Sequence, residues 1–332
     1  MPAPVTNSSA SSTPASGAEA PAEPLLDCLI VGAGPGGLTA ATYLARFHRD
    51  IVVVDAGKSR ARWIPATHNC PGFPFGVAGS DLLHKFRTQA LAYDAPIEHG
   101  RIGKLERQGE GDARIFVATA DDGRRWRARF VILATGVVDR MPAMEQLEQG
   151  IAAHTVRLCA VCDGYEAADQ RIAVLAPADA AIRHALFLRT FSRTVTVVRS
   201  EPGQPSADCM RLAEEAGIAL LPVATALHAQ ADGCRVDTDD GATHRFDTLY
   251  PVLGSDAQSQ LATALGAAVD DNAELVVDRR QQTSTDGLYA IGDVVSALNQ
   301  ISVAVGHAAI AASAIHGRLA RRLRGSDGAG TG

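Results

Sequence analysis

The stretch CLIVGAGPGGLTAATYL, residues 28–44, decides the fold, because it joins a short apolar run to a glycine turn and an amphipathic helix. The apolar run IVVVD at residues 51–55 follows and completes a strand–helix–strand unit of a parallel sheet. The stretch IAVLAPADAAIRHALFL, residues 172–188, repeats the apolar rhythm 144 positions later without a gap. The chain therefore holds two copies of one folding unit, and only the first copy keeps the glycines.

A second internal sequence repeat supports this duplication. FVATADDGRRWRARFVILATG and RVDTDDGATHRFDTLYPVLG each predict a hairpin that leads into a buried strand and ends in a glycine. In both, the spacing from the glycine of the DG turn (Gly123 or Gly241) to the final glycine (Gly136 or Gly254) is thirteen positions. The sequence therefore predicts an α/β protein with two doubly wound, Rossmann-like domains of three layers each.

The predicted domains do not follow one another simply along the chain. Residues 25–140 begin the first domain, and residues 141–250 form the second. The later GLYAIGDVV strand and ISVAVGHAAIAASAIHGRLARRL helix suit the first domain, so residues 251–324 complete it and make it discontinuous. Residues 1–24 are rich in Ala, Pro and Ser without apolar periodicity and predict a disordered tail, and residues 325–332 predict a flexible one.

Composition excludes several classes of function. The 332 residues are 46% hydrophobic, which is enough for two medium-sized domains, but no apolar run is long enough to span a bilayer. A net charge of -6 with mixed Lys and Arg leaves no basic stripe, which argues against a nucleic-acid partner. The start of the chain lacks the features of a secretory signal, so we expect a cytoplasmic protein, where a close cysteine pair is catalytic more often than structural.

The glycine turn has the G-x-G-x-x-G spacing of a dinucleotide-binding site. Gly32 permits the tight turn, Gly34 lets a pyrophosphate approach the backbone, and Gly37 allows close packing of helix and strand. Asp55 ends the next strand, where its carboxylate can accept hydrogen bonds from ribose hydroxyls. A glycine-rich turn without a ligand is the alternative interpretation. The predicted contacts at this turn are Gly32, Gly34, Pro35, Gly36, Gly37 and Asp55.

Two further fingerprints favour FAD as the dinucleotide. The strand end ILATG contains Thr135 and Gly136, and GLYAIGDVV contains Gly292 and Asp293 at the end of a later strand. We expect Asp293 to hydrogen-bond the ribityl chain of FAD. The alternative for Asp293 is a plain turn or a helix cap, because an acidic residue before a helix is common without any ligand.

The segment Cys159-Ala-Val-Cys162 is the predicted redox centre. Its spacing allows a local disulfide at the start of a helix, where the helix dipole lowers the pKa of a thiol. Asp163 follows directly, and its carboxyl can move a proton to or from a thiolate during exchange. Zinc is a rival interpretation, but the other four cysteines are scattered singly and no His pair has ligand spacing, so no metal is predicted. An inert core pair is the remaining alternative.

These motifs resemble the low-molecular-weight thioredoxin reductase family over nearly all of residues 27–323. In that family a C-x-x-C-D-G segment of the second domain faces the flavin, and the matching segment here is CAVCDG. The resemblance implies that Cys162 is the sulfur nearest the flavin, that Cys159 attacks the disulfide of the partner, and that Asp163 is the general acid and base. It also implies a homodimer, with a thioredoxin-like protein or a small dithiol or disulfide as its substrate.

The flavin-facing segments of that family have counterparts in this sequence too. HNCPGFP is similar to the family's ENxPGFP loop, so Asn69 is implied to touch the isoalloxazine, while His68 replaces an acid. GDVV followed by NQISVAVG is similar to the family's C-terminal flavin segment. There Asp293, Gln300 and Ile301 are implied to line the ribityl and pyrimidine end of FAD.

The chain departs from the family at the turn of its second domain. The family binds NADPH there through a G-x-G-x-x-A turn and a basic H-R-R cluster, whereas this chain has Ala176-Pro177-Ala178 and a later Arg199-Ser-Glu201. The methyl groups of Ala176 and Ala178 block close approach to the backbone, and Pro177 removes a backbone donor. Glu201 would repel a 2′-phosphate, although Arg199 could partly compensate, and weak binding of NADPH or NADH in an altered pose is the alternative interpretation. We therefore expect that NADPH is not used in the ordinary way.

Three functions remain open from the sequence. The first is an FAD-dependent thiol–disulfide oxidoreductase that passes electrons between the flavin and the Cys159/Cys162 pair, then to or from a protein or small dithiol. Its other partner would be oxygen, a ferredoxin-like carrier or another reductase. The chain also resembles the dithiol oxidases that close disulfides in natural products and share a degenerate second domain, although some of those carry His where this chain has Asp163. The second function is an NADPH-dependent thioredoxin reductase, and the third is a redox-sensing flavoprotein without turnover.

Overall fold

The computed structural model describes residues 24–295 and 298–323. The predicted tails, residues 1–24 and 325–332, lie outside the described residues apart from Pro24. The described chain forms two lobes, each built on one large sheet. We call the lobe with the seven-stranded sheet the first lobe and the lobe with the six-stranded sheet the second lobe. This architecture confirms the predicted α/β fold with two Rossmann-like units.

The first lobe carries a mixed sheet that starts from the CLIV run. Its strands are β1 (Leu25–Val31), β2 (Ile51–Asp55), β3 (Ile97–His99), β4 (Ile102–Gln108), β5 (Ile115–Ala120), β6 (Arg125–Leu133) and β15 (Leu288–Ala290). Strands β3, β2, β1 and β6 are parallel in that order, and β5 and β4 extend the sheet as an antiparallel meander. Strand β15 pairs in parallel with the end of β6, so the C-terminal segment belongs to this lobe.

Alternation along β1 sends its apolar side chains to two different cores. Ile30 packs on the face covered by helices, whereas Leu29 packs on the opposite face against the meander and the segment near β15. Because both faces of a parallel strand are covered, the run is apolar throughout. The helices of this lobe are α1 (Pro35–Arg46), α2 (Gly79–Leu91), α7 (Gln260–Thr263) and α8 (Ile301–Arg318).

The second lobe repeats this plan. Its strands are β8 (Ile172–Ala176), β9 (Val195–Arg199), β10 (Ala219–Gln230), β11 (Gly233–Thr238), β12 (Thr243–Phe246) and β13 (Thr248–Pro251). The sheet order is β12-β11-β10-β9-β8-β13. Strands β10, β9, β8 and β13 are parallel to one another, whereas β11 pairs antiparallel with both β10 and β12. Its helices are α3 (Leu147–Ala152), α4 (Ala160–Asp163), α5 (Ala178–Leu188) and α6 (Ala207–Glu215).

The two halves match in register, which confirms the duplication expected from the sequence. Strand β9 lies 144 positions after β2, residue for residue, and α5 follows β8 as α1 follows β1. The two DG turns also correspond, because Gly123 (φ +87°) and Gly241 (φ +83°) both take the left-handed conformation. A positive φ is strained for residues with a side chain, which explains why glycine recurs at this place in both hairpins.

A short two-stranded ribbon joins the lobes. Strands β7 (Val137–Asp139) and β14 (Ser255–Ala257) pair antiparallel where the chain leaves and re-enters the first lobe. The domain limits predicted from the sequence, 25–140, 141–250 and 251–324, remain predictions at the level of single residues. No helix within the described part of the chain combines the length and apolar character needed to cross a membrane.

Candidate active site

A cavity of about 590 Å³ lies between the two lobes. The first lobe lines it with the glycine turn, the end of β2 and the start of α8, and the second lobe with the loop between α3 and α4 and the cysteine pair. This volume is typical of a cofactor site. The predicted site residues on its wall are Gly32, Gly34, Pro35, Gly36, Asp55, Asn69, Thr135, Gly136, Cys159, Cys162, Asp163, Gly292, Asp293, Gln300 and Ile301.

The glycine turn between β1 and α1 packs so closely against neighbouring backbone that two of its positions cannot carry a side chain. Gly32 has φ +103°, and a Cβ there would lie 2.4 Å from the carbonyl oxygen of Ala134. A Cβ on Gly37, which sits behind the cavity wall, would lie 1.9 Å from the carbonyl oxygen of Gly32. Pro35 begins helix α1, where its missing N–H costs nothing. Asp55 accepts a hydrogen bond from the Ala33 amide at 3.0 Å, which ties the end of β2 to the turn.

An arginine on the cavity wall binds two carboxylates. The Arg60 guanidinium binds both carboxylate oxygens of Asp139, at 2.6 and 2.9 Å, and one oxygen of Asp293 at 3.3 Å. Burial raises the pKa of Asp293, and the Arg60 charge opposes that rise. Sequence reasoning identified Asp293 but missed Arg60, because the partners of this arginine are distant in the chain.

The remaining predicted contacts of the first lobe lie on the same cavity wall. Gly136 (φ +64°) and Gly292 (φ +72°) follow β6 and β15, two neighbouring strands of the sheet. The Thr135 hydroxyl donates to the carbonyl of Gln258 at 2.7 Å. Gln300 is the N-cap of α8 and Ile301 its first residue. The carboxyl ends of parallel strands thus gather these residues at one edge, as open α/β sheets do.

The cysteine pair forms the wall contributed by the second lobe. Cys159 and Cys162 are joined by a disulfide, and Cys159 is the N-cap of the short helix α4. The Cys162 amide donates to the Cys159 sulfur at 3.2 Å. From the first lobe, the Gln300 side-chain amide donates to the Cys162 sulfur at 3.3 Å and approaches the Cys159 sulfur at 3.6 Å. Residues of both lobes therefore contact the same disulfide.

The carboxyl beside the pair is partly buried and firmly held. Asp163 forms an ion pair with Arg157 at 3.2 Å and accepts a hydrogen bond from the Tyr250 hydroxyl at 3.0 Å. Burial raises the pKa of Asp163, while Arg157 and Tyr250 act in the opposite direction. His154 lines the same wall, and burial lowers the pKa of its imidazole, which favours the neutral ring. Sequence reasoning missed Arg157, Tyr250 and His154; the charged residue two positions before Cys159 was the one local signal.

The other four cysteines do not form a second centre. Cys28, Cys209 and Cys234 are buried free thiols, and Cys70 is a half-buried one. Burial raises the pKa of Cys234 to about 11. Among residues 24–295 and 298–323, no cluster of three or more His, Cys, Asp or Glu side chains could hold a metal ion.

The equivalent turn of the second lobe, between β8 and α5, does not line this cavity, and different residues are buried in it. Ala176 and Ala181 are fully buried where the first turn has glycines, and Pro177 is the N-cap of α5. The Asp179 carboxylate lies in the first turn of α5 and accepts a hydrogen bond from the Ser206 amide at 2.8 Å. Arg199 donates to the carbonyls of Leu221 and Gly203, at 3.3 and 3.0 Å.

A glycine turn of the dinucleotide-binding type that shares a cavity with a Cys–Cys disulfide is the arrangement expected of flavin-dependent disulfide oxidoreductases. The chain belongs to the pyridine nucleotide-disulphide oxidoreductase family, which it matches over residues 26–308. It is 30% identical over 280 residues to a thioredoxin reductase of Mycolicibacterium smegmatis, a match that covers 81% of this chain and 88% of that protein.

Solved structures agree with this assignment. The crystal structure of HlmI matches with a TM-score of 0.82 at 29% identity and covers 88% of this chain and 92% of that one. Thioredoxin reductase from Streptococcus pyogenes matches with a TM-score of 0.79 at 26% identity, covering 88% and 97%. The predicted resemblance is thereby confirmed. The protein is an enzyme, a thioredoxin reductase-like disulfide oxidoreductase with FAD as its cofactor.

The residues present fit FAD. The turn lines the cavity with Gly32, Gly34 and Gly36, and the nearest atom to a Cβ on Gly34 would be the Ser59 hydroxyl oxygen at 3.5 Å, so the missing side chain leaves the backbone exposed toward the cavity. The Asn299 side-chain oxygen is buried on the cavity wall and has no hydrogen-bond partner among the described residues, so it is available to a donor group of a bound molecule. Asn299 is a second residue that sequence reasoning missed on this wall, directly beside the predicted Gln300.

Proposed function

We propose that this protein is a thioredoxin reductase-like flavoenzyme that exchanges electrons between FAD and the Cys159–Cys162 pair without using NADPH in the ordinary way. The observation that carries the proposal is the contrast between two equivalent turns. The turn after β1 is open and faces the cavity with the disulfide, whereas the turn after β8 is filled by alanines and lies outside that cavity.

A pyrophosphate at the second turn would lose favourable contacts and meet an unfavourable charge. Pro177 offers no N–H at the N-cap of α5. The carboxylate of Asp179 occupies the first turn of this helix, and its hydrogen bond from the Ser206 amide lowers its pKa, so it is anionic at neutral pH. Loss of several charge-assisted phosphate contacts weakens binding by about a thousandfold or more.

The basic residue on the neighbouring strand β9 does not compensate for these losses. Arg199 is the positive charge at the end of β9, where a 2′-phosphate would be recognised, but its guanidinium is held by two backbone carbonyls. Glu201 follows it and is exposed. A phosphate arriving here would compete with existing hydrogen bonds and approach a second carboxylate.

The proposed chemistry at the pair is ordinary thiol–disulfide exchange. A substrate thiolate attacks the Cys159 sulfur, breaks the bond to Cys162 and leaves a mixed disulfide with Cys159 and a thiolate on Cys162. The second substrate thiol, as thiolate, then attacks its own mixed disulfide and releases Cys159. In sum, two thiols of the substrate become one disulfide and the enzyme disulfide becomes two thiols. FAD, when bound, supplies the reversible two-electron chemistry that restores the pair.

Asp163 is the proposed proton carrier of this exchange. Its carboxyl lies next to Cys162 in the chain and is oriented by Arg157 and Tyr250. Because burial raises the pKa of Asp163, the carboxyl is protonated up to a higher pH than an exposed one and can deliver a proton to a departing thiolate. In the reverse step the carboxylate takes that proton back.

The residues proposed to hold FAD belong to the first lobe. The glycine turn would take the pyrophosphate and Asp55 the ribose, and Asp293 would take the ribityl chain. At the isoalloxazine end, Asn69 and the start of α8 would complete the site. The proposed cofactor contacts are Gly32, Gly34, Pro35, Gly36, Gly37, Asp55, Asn69, Thr135, Gly136, Gly292, Asp293, Gln300 and Ile301.

The proposed substrate is a thioredoxin-like protein or a small dithiol, and the proposed final acceptor is oxygen or another electron carrier. The thioredoxin-like partner follows from the names of the relatives in M. smegmatis and S. pyogenes. Those names also favour the second candidate, an NADPH-dependent thioredoxin reductase. By family resemblance we further propose a homodimer in the cytoplasm, which light scattering and cell fractionation would test.

Steady-state turnover separates the two candidates. One assay supplies dithiothreitol with a dye acceptor and no nicotinamide, and the other supplies NADPH with a thioredoxin disulfide. We expect turnover in the first assay, its loss in Cys159→Ser and Cys162→Ser, and no more than trace turnover in the second. Turnover with NADPH that equals or exceeds the dithiol rate would assign the protein to the second candidate.

A further inference from the structure

Gln300 occupies an unusual position for a residue expected at the flavin. It caps α8 in the first lobe, yet its side-chain amide reaches the disulfide of the second lobe. The nitrogen lies 3.3 Å from the Cys162 sulfur and 3.6 Å from the Cys159 sulfur. These separations are within hydrogen-bond range for sulfur acceptors, so Gln300 touches the atoms that react.

The orientation of the Gln300 amide is fixed by its other end. Its carbonyl oxygen accepts a hydrogen bond from the Asn69 side-chain amide at 2.9 Å. The same Asn69 nitrogen approaches the backbone carbonyl of Val161 at 3.5 Å, and that carbonyl can only accept. The buried Thr67 hydroxyl donates to the Asn69 oxygen at 2.9 Å. The Asn69 NH₂ group therefore points to the Gln300 oxygen, and this orients the Gln300 NH₂ group toward the two sulfurs.

The two sulfurs share the Gln300 amide unequally, because its nitrogen is 3.3 Å from the Cys162 sulfur and 3.6 Å from the Cys159 sulfur. Cys159 accepts from the backbone amide of Cys162, within the same short segment. Cys162 accepts from Gln300, a residue of the other lobe. The charged and titratable groups around the pair are Asp163, whose carboxyl turns to Arg157 and Tyr250, and His154 across the wall.

We propose that Gln300 is a catalytic hydrogen-bond donor that stabilises the thiolate of Cys162 when the pair is reduced. In the disulfide the sulfurs are uncharged, and the N–H group is already in place before charge develops. Reduction by a dithiol adds two electrons and two protons to the pair, and the release of one proton leaves a thiolate whose charge the amide stabilises. This inference rests on the exchange step of the proposed function but not on the absence of NADPH use.

The stabilisation has two measurable consequences. A hydrogen bond to a charged group changes an equilibrium by about tenfold or more, so its loss should reduce the thiolate population of Cys162 about tenfold at pH 7. Stabilising the reduced form also makes a disulfide more oxidising. Without the donor, the equilibrium of the pair with glutathione should shift about tenfold toward the enzyme disulfide.

Two variants of Gln300 separate hydrogen bonding from shape. Gln300→Met keeps the length of the side chain and removes the donor, whereas Gln300→Glu keeps the shape and the acceptor but cannot donate as a carboxylate. Gln149→Met, on the exposed face of α3, is the matched control. The flavin-loaded proteins are reduced with dithiothreitol, freed of reductant without oxygen and treated with iodoacetamide, and the alkylated cysteines are identified by mass spectrometry.

We expect alkylation of Cys162 at pH 7 to fall about tenfold in both Gln300 variants and to stay at the wild-type rate in Gln149→Met. Buried Cys234 should remain unlabelled in all of them. Wild-type labelling of Cys162 in Gln300→Met, or in Gln300→Glu alone, would overturn the proposal, because neither side chain can donate. Alkylation requires neither nicotinamide nor turnover, so it reports on Gln300 even if the enzyme proves to use NADPH.

Discussion

The turn after β1 and the turn after β8 follow the same backbone plan but have different interiors. In both, a buried parallel strand leads directly into a helix that packs on its own sheet. The first turn keeps Gly32 and Gly37, which admit no Cβ, while the second has buried Ala176 and Ala181 at the equivalent places. Apolar periodicity therefore preserves the fold in both lobes, while the residues inside the two turns differ, and under the function proposed above only the first turn would cradle a phosphate.

The largest expected effect comes from placing the methyl group of the second turn into the first. Gly37→Ala puts a Cβ 1.9 Å from the Gly32 carbonyl oxygen, so strand and helix must separate. We expect the purified protein to lose its flavin, with a cost of about 3 kcal/mol or more in the free energy of unfolding. The ratio of absorbance at 450 nm to that at 280 nm and thermal unfolding measure both.

The control is the reverse substitution, alanine to glycine, at the equivalent position of the turn after β8. Ala181→Gly, at the position that matches Gly37, removes one buried methyl group from helix α5 and should cost about 1 to 2 kcal/mol without loss of flavin. If Gly37→Ala retains its flavin as well as Ala181→Gly does, the two turns do not differ in the way described.

The next largest effect is expected at Asp163, the carboxyl beside the cysteine pair of the second lobe. Asp163→Asn should slow dithiol exchange about a hundredfold, because the amide can neither give nor take a proton. Burial raises the pKa of Asp163, so its supply of protons is complete below that pKa and declines as pH rises through it. The deficit of Asp163→Asn should therefore be largest at low pH and shrink as pH increases.

The pH profile of the ratio of wild-type to variant rates tests this. Asp208→Asn, at a fully exposed carboxylate in the first turn of α6, is the matched control and should leave the rates unchanged. A ratio that is the same at every pH would mean that Asp163 acts through structure and not through proton transfer.

The sequence was sufficient for the parts of the fold and site that depend on local pattern. The glycine turn, the duplicated strands and the Cys159–Cys162 disulfide all follow from spacing within short segments, and the structure has each of them. Gln300 was expected at the flavin from the family resemblance, but its contact with the disulfide and the whole role of Arg60 were not, because these contacts join residues far apart in the chain. A pattern along the chain identifies residue types at strand ends, but which side chains meet depends on how the lobes pack.

The smallest expected effect comes from making the turn after β8 more like the turn after β1, which should increase NADPH affinity only slightly. Asp179→Ala removes the carboxylate from the start of α5 and should strengthen NADPH binding only about threefold, because Pro177 and the buried alanines remain. Asp208→Ala, at the start of α6, is the control and should change nothing. Fluorescence titration with NADPH measures both, and an Asp179→Ala variant that binds NADPH at micromolar levels would show that one carboxylate closes the site.

Rapid mixing without oxygen tests most directly whether electrons enter this enzyme through sulfur and not through a nicotinamide. The oxidised flavoprotein is mixed with 1 mM dithiothreitol or 1 mM NADPH, roughly a typical upper KM for each, and the 450 nm band is followed. We predict that the dithiol bleaches the flavin at least a hundredfold faster than NADPH, and that Cys162→Ser abolishes the dithiol reaction. Bleaching by NADPH that is as fast as or faster than bleaching by the dithiol would contradict this account.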